Sequence, residues 1–442
     1  MATECYTQLG FGFQPKLVVD FAGGTLTTDA GLILLREFDE RVGFTAAITR
    51  QITETRDARY LTHPMTVLVR QRLYQIAAGY EDANDADRLR ADPTLQVVAG
   101  NGRTVLGSQP TLSRFENDVD WSTIRRLSGA GVTWLCAHAF APRTQPRELV
   151  LDVDGTDDRT HGTQQLALFN GYYRERVYHL LVWSEGTTGL PLRTRLRPGD
   201  VHGTQGLLAD LDQILPPLRR RFPRTRIALR ADAGMATPAV EQGLEDAGVD
   251  YVLGIGPHLV FQERVASCRA RAEARYARRQ RPVAVRTSFW YRARRWPRRR
   301  RILVKLDVTA TGTNLRFMIT NRPGRATDLI TWYEGRGAAE NGIKELKLDL
   351  HADRLSCHRY RANALRLQLH TLALLMLSYF RRAVLRRTPL ARAHLGTVRT
   401  HLFKVAARVV RSVRRIWFHF ASHWPRESLF RTCRAALARA PV

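Results

Sequence analysis

The feature that most constrains the fold is the order of apolar patterns between residues 146 and 255. The segment Glu148–Asp154 is apolar between its acidic residues and predicts a buried strand. Further strand and helix patterns follow it, in the order strand Tyr172–Ser184, strand Leu190–Leu196, helix Gln205–Leu218, strand Ile227–Ala231, helix Pro238–Ala247 and strand Tyr251–Ile255. A three-stranded meander followed by alternating helix and strand predicts an α/β fold around one sheet, with right-handed crossovers in its parallel part.

The segments on either side of this core have different patterns. Residues 27 to 141 have helical periodicity, and the segment from Arg264 to Arg301 has 15 Arg, with Glu273 inside it. Beyond the arginines, Ile302–Val308 and Leu315–Thr320 predict a β-hairpin, and a helix is expected from about Asp328 to Leu348. We therefore expect an all-helical N-terminal domain (1–145), a catalytic core in two parts (146–258 and 326–382), a basic β-rich insertion (259–325) and a C-terminal region (383–442).

The charge of the chain indicates a polyanionic partner. Lys and Arg number 69 against 41 Asp and Glu, which gives a net charge of +28. The five cysteines are far apart and fit neither a disulfide framework nor a zinc ribbon, which is typical of a reducing cytosol. Because no signal peptide pattern and no run of 18 apolar residues is present, we expect a cytoplasmic protein without membrane contact.

One helical stretch has charged side chains at a regular spacing. Tyr333, Arg336, Glu340 and Lys347 lie within about 60° of one another on a helix of 100° per residue. The neighbouring glutamates point elsewhere, so the spacing selects Glu340. An exposed helix with mixed charges is the alternative.

The spacing Y-x2-R-x3-E-x6-K is similar to the motif around the catalytic glutamate of DDE transposases of bacterial insertion sequences. The stretches Asp152–Gly162 and Phe169–Tyr173 resemble the branch called the insertion sequence 1380 family. The strand order above is that of ribonuclease H, and the resemblance implies this fold for the catalytic domain. It also implies that the catalytic acids are Asp154 from a D-x-T on the first strand, Asp232 after the fourth strand, and Glu340.

Metal chemistry supports these three acids independently. Two Mg²⁺ ions, for which Mn²⁺ could substitute, need oxygen ligands that converge from different elements and leave positions for water and phosphate. Asp154 and Asp232 each follow an apolar strand and Glu340 comes from a helix. Asp152 is the alternative to Asp154, because it lies on the same face of the strand; the D-x-T resemblance favours Asp154.

Basic and aromatic side chains are candidates for DNA contacts. Arg and Lys neutralise phosphates, Tyr donates hydrogen bonds, and Trp stacks on an unpaired base. The candidates are Tyr333, Arg336, Lys344, Lys347, Trp290, Trp296, Arg298 and Arg299. The alternatives are that the helix residues are structural partners of the acids and that the tryptophans form hairpin core.

Other polar residues near these motifs have simpler interpretations. Asp157 and Asp158 are expected to be turn residues that close the first strand. His161 is expected in a loop without a chemical role, and Cys357–His358 lacks a second ligand pair for zinc.

Together with these patterns, the resemblance implies a transposase that binds double-stranded DNA. The N-terminal domain would bind the terminal inverted repeats. The two-metal site would cut the transposon ends and join the 3′-hydroxyls to target DNA, and a homodimer would hold two ends in a synaptic complex. A bacterial, nucleoid-associated location follows from the resemblance. The alternatives are an inactive transposase-derived DNA-binding protein and a ribonuclease H-like nuclease without strand transfer.

Overall fold

The computed structural model describes residues 9–138, 145–294 and 296–439. By its contacts the chain divides into two compact units. The first, which we call the terminal unit, comprises Met1–Thr45, Glu54–Phe115 and Phe380–Val442. The second, the sheet unit, comprises Ala46–Thr53 and Glu116–Tyr379.

Strands and helices both occur throughout the described chain. The strands are β1 (Leu9–Phe11), β2 (Gln14–Val19), β3 (Leu26–Thr27), β4 (Glu148–Arg159), β5 (Leu168–Asn170), β6 (Glu175–Glu185), β7 (Pro191–Arg197), β8 (Arg226–Ala231), β9 (Asp250–Ile255), β10 (Val283–Tyr291), β11 (Arg300–Thr309), β12 (Gly312–Thr320), β13 (Ala407–Arg411) and β14 (Ile416–Phe420). The helices are α1 (Leu32–Val42), α2 (Phe44–Thr49), α3 (Met65–Ala78), α4 (Ala86–Leu89), α5 (Pro93–Ala99), α6 (Gln109–Asp118), α7 (Trp121–His138), α8 (Leu207–Arg221), α9 (Pro238–Asp246), α10 (Leu259–Arg279), α11 (Ala326–Glu334), α12 (Gly337–Lys344), α13 (Tyr360–Val384), α14 (Leu395–Val398) and α15 (Glu427–Arg439).

The sheet unit is organised around a mixed sheet of nine strands in the order β10-β11-β12-β9-β8-β4-β6-β5, in which β7 also pairs with β6. Strand β4 is antiparallel to β6 and parallel to β8, and β8 is parallel to β9. The chain is thus mixed α/β, as predicted. The centre of the sheet is buried because β4, β8 and β9 carry long apolar side chains such as Leu151, Leu229 and Leu253.

The insertion is part of the same sheet and does not form a separate hairpin. The predicted hairpin is present as β11 and β12, and β12 pairs with β9, with Ile319 opposite Leu253. The insertion also contains the long helix α10, which the expectation of a β-rich segment missed. Its buried residues, Phe261, Val265 and Ala272, are few and widely spaced among arginines, which hid its periodicity.

The N-terminal region is not all-helical, because three short strands precede α1 in its described part. Strands β1 and β2 pair with each other, and β3 pairs with β13, so Thr27 lies opposite Ala407. These strands are two to six residues long, and β3 depends on a partner some 380 residues away in sequence, so local periodicity gives little indication of them. No helix in the described part of the chain is both long and apolar enough to cross a bilayer.

Candidate active site

The site lies where β8 stops beside β4. Val153 pairs with Ala231 in the parallel ladder, so Asp154 and Asp232 occupy the next position on the two chains. The sequence predicts a strand that ends at Asp154, but β4 continues to Arg159 through its pairing with β6. Only its edge towards β8 becomes open there, and the two carboxylates meet at that opening.

The carboxylate of Asp154 lies between charges of both signs. Burial raises the pKa of Asp154, the Arg336 guanidinium lowers it, and the charge of Asp232 raises it further. Asp154 Oδ1 accepts a hydrogen bond from the Gly155 amide at 2.9 Å, and Asp232 Oδ1 accepts one from the Gly234 amide at 3.1 Å. The site therefore holds two neighbouring acids that are only partly neutralised.

Asp152, the alternative to Asp154, has a different environment. Both of its carboxylate oxygens accept hydrogen bonds from Arg230, each at 2.7 Å, and the pair is buried. Arg230 also donates to the Trp332 carbonyl at 2.7 Å. Asp152 thus belongs to a buried ion pair that ties β4, β8 and α11 together.

The helix with the spaced charges is interrupted. Helix α11 ends at Glu334 and α12 begins at Gly337, and a π-helical turn follows at Glu345–Asp349. The prediction of one continuous helix from about Asp328 to Leu348 is therefore wrong. The Tyr333 hydroxyl still donates to the Ala231 carbonyl at 3.2 Å, and Arg336 Nη1 donates to Asp154 Oδ2 at 2.9 Å.

Lys347 and Glu340 complete this side of the site. Lys347 Nζ donates to the Asp157 carbonyl at 2.8 Å and to Thr156 Oγ1 at 3.3 Å. The Glu340 side chain is 57% exposed, and its Oε1 lies 4.0 Å from Arg336 Nη2. Arg336 thus has the first acid on one side and the third acid on the other. The three carboxylates do not all come within 4.8 Å of one another in the described structure.

A glycine allows this close packing. A Cβ atom on Gly254 of β9 would lie 2.9 Å from both the Tyr333 hydroxyl and the Ala233 amide nitrogen. The absence of a side chain at this position lets Tyr333 reach the end of β8.

A turn beside the acids carries aromatic side chains to which sequence reasoning assigned no role. Asn170 Oδ1 accepts hydrogen bonds from the amides of Tyr172 and Tyr173, at 3.0 and 3.3 Å. Tyr172 is 87% exposed. Burial raises the pKa of Tyr173, and the charges of Asp157, Asp154 and Asp232 add to the rise. An Asn-Gly turn followed by two tyrosines is the signal that could have drawn attention to it.

The tryptophans of the insertion differ in exposure. Trp290 is 55% exposed on β10, whereas Trp296 is 7% exposed. Trp296 packs edge-on against Tyr291, with a centroid distance of 5.6 Å, and Arg300 lies 5.4 Å from its ring centre. The expectation that Trp296 stacks on a base is therefore corrected, because the ring belongs to the core of the insertion.

The remaining DNA-contact candidates are on the surface. Lys344, Arg298 and Arg299 are exposed, and Arg298 pairs with Glu245 at 2.6 Å. Tyr333, Arg336 and Lys347 bond to backbone or side-chain groups of the chain, as the structural alternative predicts. Their contacts with DNA stay a prediction.

The structure agrees with some of the simpler interpretations of the other polar residues and not with others. Asp157 and Asp158 are not turn residues, because β4 and β6 pair beyond them to Arg159. His161 is exposed in a loop, as predicted. Among the described residues, neither Cys357 nor His358 belongs to a group of three metal ligands.

Comparisons with known proteins agree with the motif. The family model described as "Transposase DDE domain group 1" matches residues 9–442. A solved structure of the piggyBac transposase synaptic complex with hairpin DNA is 11% identical, covers 85% of this chain and 79% of its own, and has a TM-score of 0.44. The Mos1 transposase paired-end complex with the left transposon end is 14% identical, with coverages of 51% and 69% and a TM-score of 0.17. No curated protein matches the sequence.

Proposed function

The chain belongs to the transposase DDE domain group 1 family, and from this premise we propose that it cuts the ends of a transposon and joins them to target DNA. The observation that carries the proposal is the meeting of Asp154 and Asp232 on adjacent parallel strands, with Arg336 and Glu340 beside them. Family membership supports DNA as the substrate class, and the net charge of +28 fits a polyanion.

The strand order supports a ribonuclease H-like catalytic domain. With the short strand β5 left out, the order β7-β6-β4-β8-β9 is 3-2-1-4-5 when numbered along the chain; β7, β6 and β4 are antiparallel neighbours, and β4, β8 and β9 are parallel. We assign this domain to residues 146–258 and 326–382, with 259–325 as a basic insertion. The motifs at Asp152–Gly162 and Phe169–Tyr173 favour the insertion sequence 1380 branch.

The acids fit a divalent-metal site. Burial and the charge of the adjacent Asp232 raise the pKa of Asp154, and a hard cation would offset the repulsion between the two carboxylates. Asp154, Asp232 and Glu340 would hold two Mg²⁺ ions, or Mn²⁺ in their place. Such ions activate water or a 3′-hydroxyl and stabilise the charge that develops on phosphate.

The chain's own residues hold and orient these acids. Arg336 donates to Asp154 and fixes the direction of its carboxylate, and Tyr333 holds the carbonyl just before Asp232. Lys347 fixes the backbone of β4 at Asp157. These three are positioning residues that would also face DNA phosphates, together with the exposed Lys344.

Exposed aromatic and basic groups of the sheet unit complete the proposed DNA surface. Trp290 and Tyr172 offer exposed rings for an unpaired base, while Arg298 and Arg299 would contact phosphates. We propose further that residues 1–145 bind the terminal inverted repeats, that 383–442 form a C-terminal region, which belongs to the terminal unit, and that two copies pair the transposon ends in the bacterial cytoplasm.

The test is a cleavage assay on supercoiled plasmid that carries the DNA flanking the gene. Wild type with Mg²⁺ is expected to nick at the repeat ends and to give joined products, and Asp154→Asn, Asp232→Asn and Glu340→Gln are expected to bind the repeats without cutting. Cleavage by any of these variants would reject that residue's role. Nicking without joined products would indicate a nuclease, and binding without nicking by wild type would indicate an inactive derivative.

A further inference from the structure

We propose that the hairpin β13–β14 is a binding surface for duplex DNA, in addition to the one proposed for the sheet unit. The hairpin belongs to the terminal unit and pairs Ala407–Arg411 with Ile416–Phe420. Its two faces differ. Phe418 and Phe420 pack against the buried cluster of Ala30, Val405 and Ala407. The other face is exposed, and carries Arg408, Val410, Trp417 and His419.

The sequence around the hairpin has an extreme charge. From Arg354 to Arg426 there are 15 Arg and one Lys, and no Asp or Glu. Arg408, Arg414 and Arg415 are exposed on the hairpin, and none has an acidic partner within this stretch. Exposed arginines without local carboxylates indicate a polyanion as the partner.

The tip of the hairpin is apolar and held in place. Val413 is 88% exposed between arginines. Its carbonyl accepts a hydrogen bond from Arg103 Nη2 at 2.8 Å, and Arg411 Nη2 donates to Gln96 Oε1 at 2.6 Å. These two hydrogen bonds therefore hold the turn that carries the exposed valine.

This geometry fits a duplex better than a single strand. A two-stranded ribbon fits the major groove, and apolar tips wedge between base steps in proteins that bend DNA. Trp417 is 47% exposed, but its ring already stacks on His419, with 6.1 Å between centroids, and Arg415 lies 5.6 Å from its centre. The arginines are thus placed for phosphates, and the aromatic ring is less available to an unpaired base.

The test compares two triple variants of the full chain in their binding of a fluorescein-labelled 25-bp duplex without divalent metal. R408Q/R414Q/R415Q removes the hairpin charges. R59Q/R88Q/R431Q is the matched control, because it removes three exposed arginines of the same unit that already pair with Asp57, Asp85 and Glu427. We expect the hairpin variant to bind at least about tenfold more weakly at 0.1 M salt, and its log K against log[salt] slope to be shallower by about 2 to 3. The control is expected to stay within about threefold of wild type.

Equal binding by the two variants would overturn the proposal. A larger effect of Trp417→Ala on a single-stranded oligonucleotide than on the duplex would also overturn it, in favour of an unpaired strand. The inference rests on the proposed function only for the identity of DNA. Because the assay contains no divalent metal, failure of the catalytic assignment and failure of the hairpin surface give separate results.

Discussion

At the scale of single residues, two aspartates on one strand have different partners. Asp152 is buried with Arg230, and Asp154 is at the open edge beside Asp232. Their spacing of two residues puts both on the same face, so periodicity could not separate them. The partner is what differs: a buried bidentate ion pair supports the fold, whereas adjacent carboxylates at an opening are suited to bind cations.

We expect Asp152→Asn to affect mainly stability and Asp154→Asn to affect mainly activity. Asp152→Asn leaves the Arg230 charge buried without its counter-charge, which is expected to lower the free energy of unfolding by about 3 kcal/mol. Asp154→Asn is expected to change it by less than about 1 kcal/mol and to reduce strand cleavage at least about a thousandfold. Thermal unfolding and plasmid nicking measure the two effects, and a stable but inactive Asp152→Asn would favour Asp152 as the metal ligand.

Asp158 makes stability depend on pH. Burial raises its pKa from 3.8 to about 8, the charge of Asp353 adds to the rise and Lys347 opposes it. Neither carboxylate oxygen has a hydrogen-bond partner among the described residues. Between about pH 4 and 8 the unfolded chain has released this proton and the folded chain keeps it, so stability falls as pH rises through this window.

Asp158→Asn is expected to remove this loss. The variant should be more stable than wild type at pH 9 by several kcal/mol, since one pKa unit corresponds to about 1.4 kcal/mol, and more stable by only about 1 to 2 kcal/mol at pH 5, near the start of this window. Thermal unfolding at both pH values measures the difference. Asp212→Asn, an exposed position on α8, is the control; a shift at pH 9 in the control as large as that in Asp158→Asn would contradict the assignment.

At the scale of elements, the sequence predicts the core better than the attachments. Strand β8 begins one residue before its predicted start, and α9 ends one residue before its predicted end, because buried strands and amphipathic helices have clear local patterns. The break between α11 and α12 and the pairing of β12 with β9 were missed. Both depend on tertiary contacts, such as Arg336 with Asp154, which local periodicity does not contain.

The candidate site could be predicted in its residues but not in its arrangement. Asp154, Asp232 and Arg336 do come together, as their positions after strands and on one helix face indicate. The exposure of Glu340 and the tyrosine turn at Asn170 could not be predicted, since they depend on how a helix and a loop approach the end of the sheet.

The two tryptophans of the insertion are expected to separate stability from binding. Trp296→Ala removes a buried ring and should destabilise the protein by about 3 to 5 kcal/mol. Trp290→Ala removes an exposed ring and should leave the unfolding temperature unchanged. If Trp290 stacks on an unpaired base, its variant should bind hairpin-ended DNA about tenfold more weakly than wild type, as measured by fluorescence anisotropy. Weakened hairpin binding only in Trp296→Ala would reverse the two roles.

At the scale of the whole molecule, we expect charge to govern the proposed encounter with DNA. The net charge of +28 acts on any duplex, so most of the affinity for random sequence is expected to come from released counterions. We expect log K against log[salt] to have a slope steeper than about −5, measured with random duplex between 0.1 and 0.3 M salt. A slope near zero would mean that the arginines do not face the DNA.

The contact between Arg336 and Asp154 has a practical consequence for the order of events. Because the Arg336 guanidinium already balances part of the negative charge at this edge, we expect the chain to keep its structure there without a metal ion. A chelator should then stop the proposed DNA cleavage without unfolding the protein. Complexes with DNA could then be assembled in EDTA, and the start of cleavage synchronised by adding magnesium.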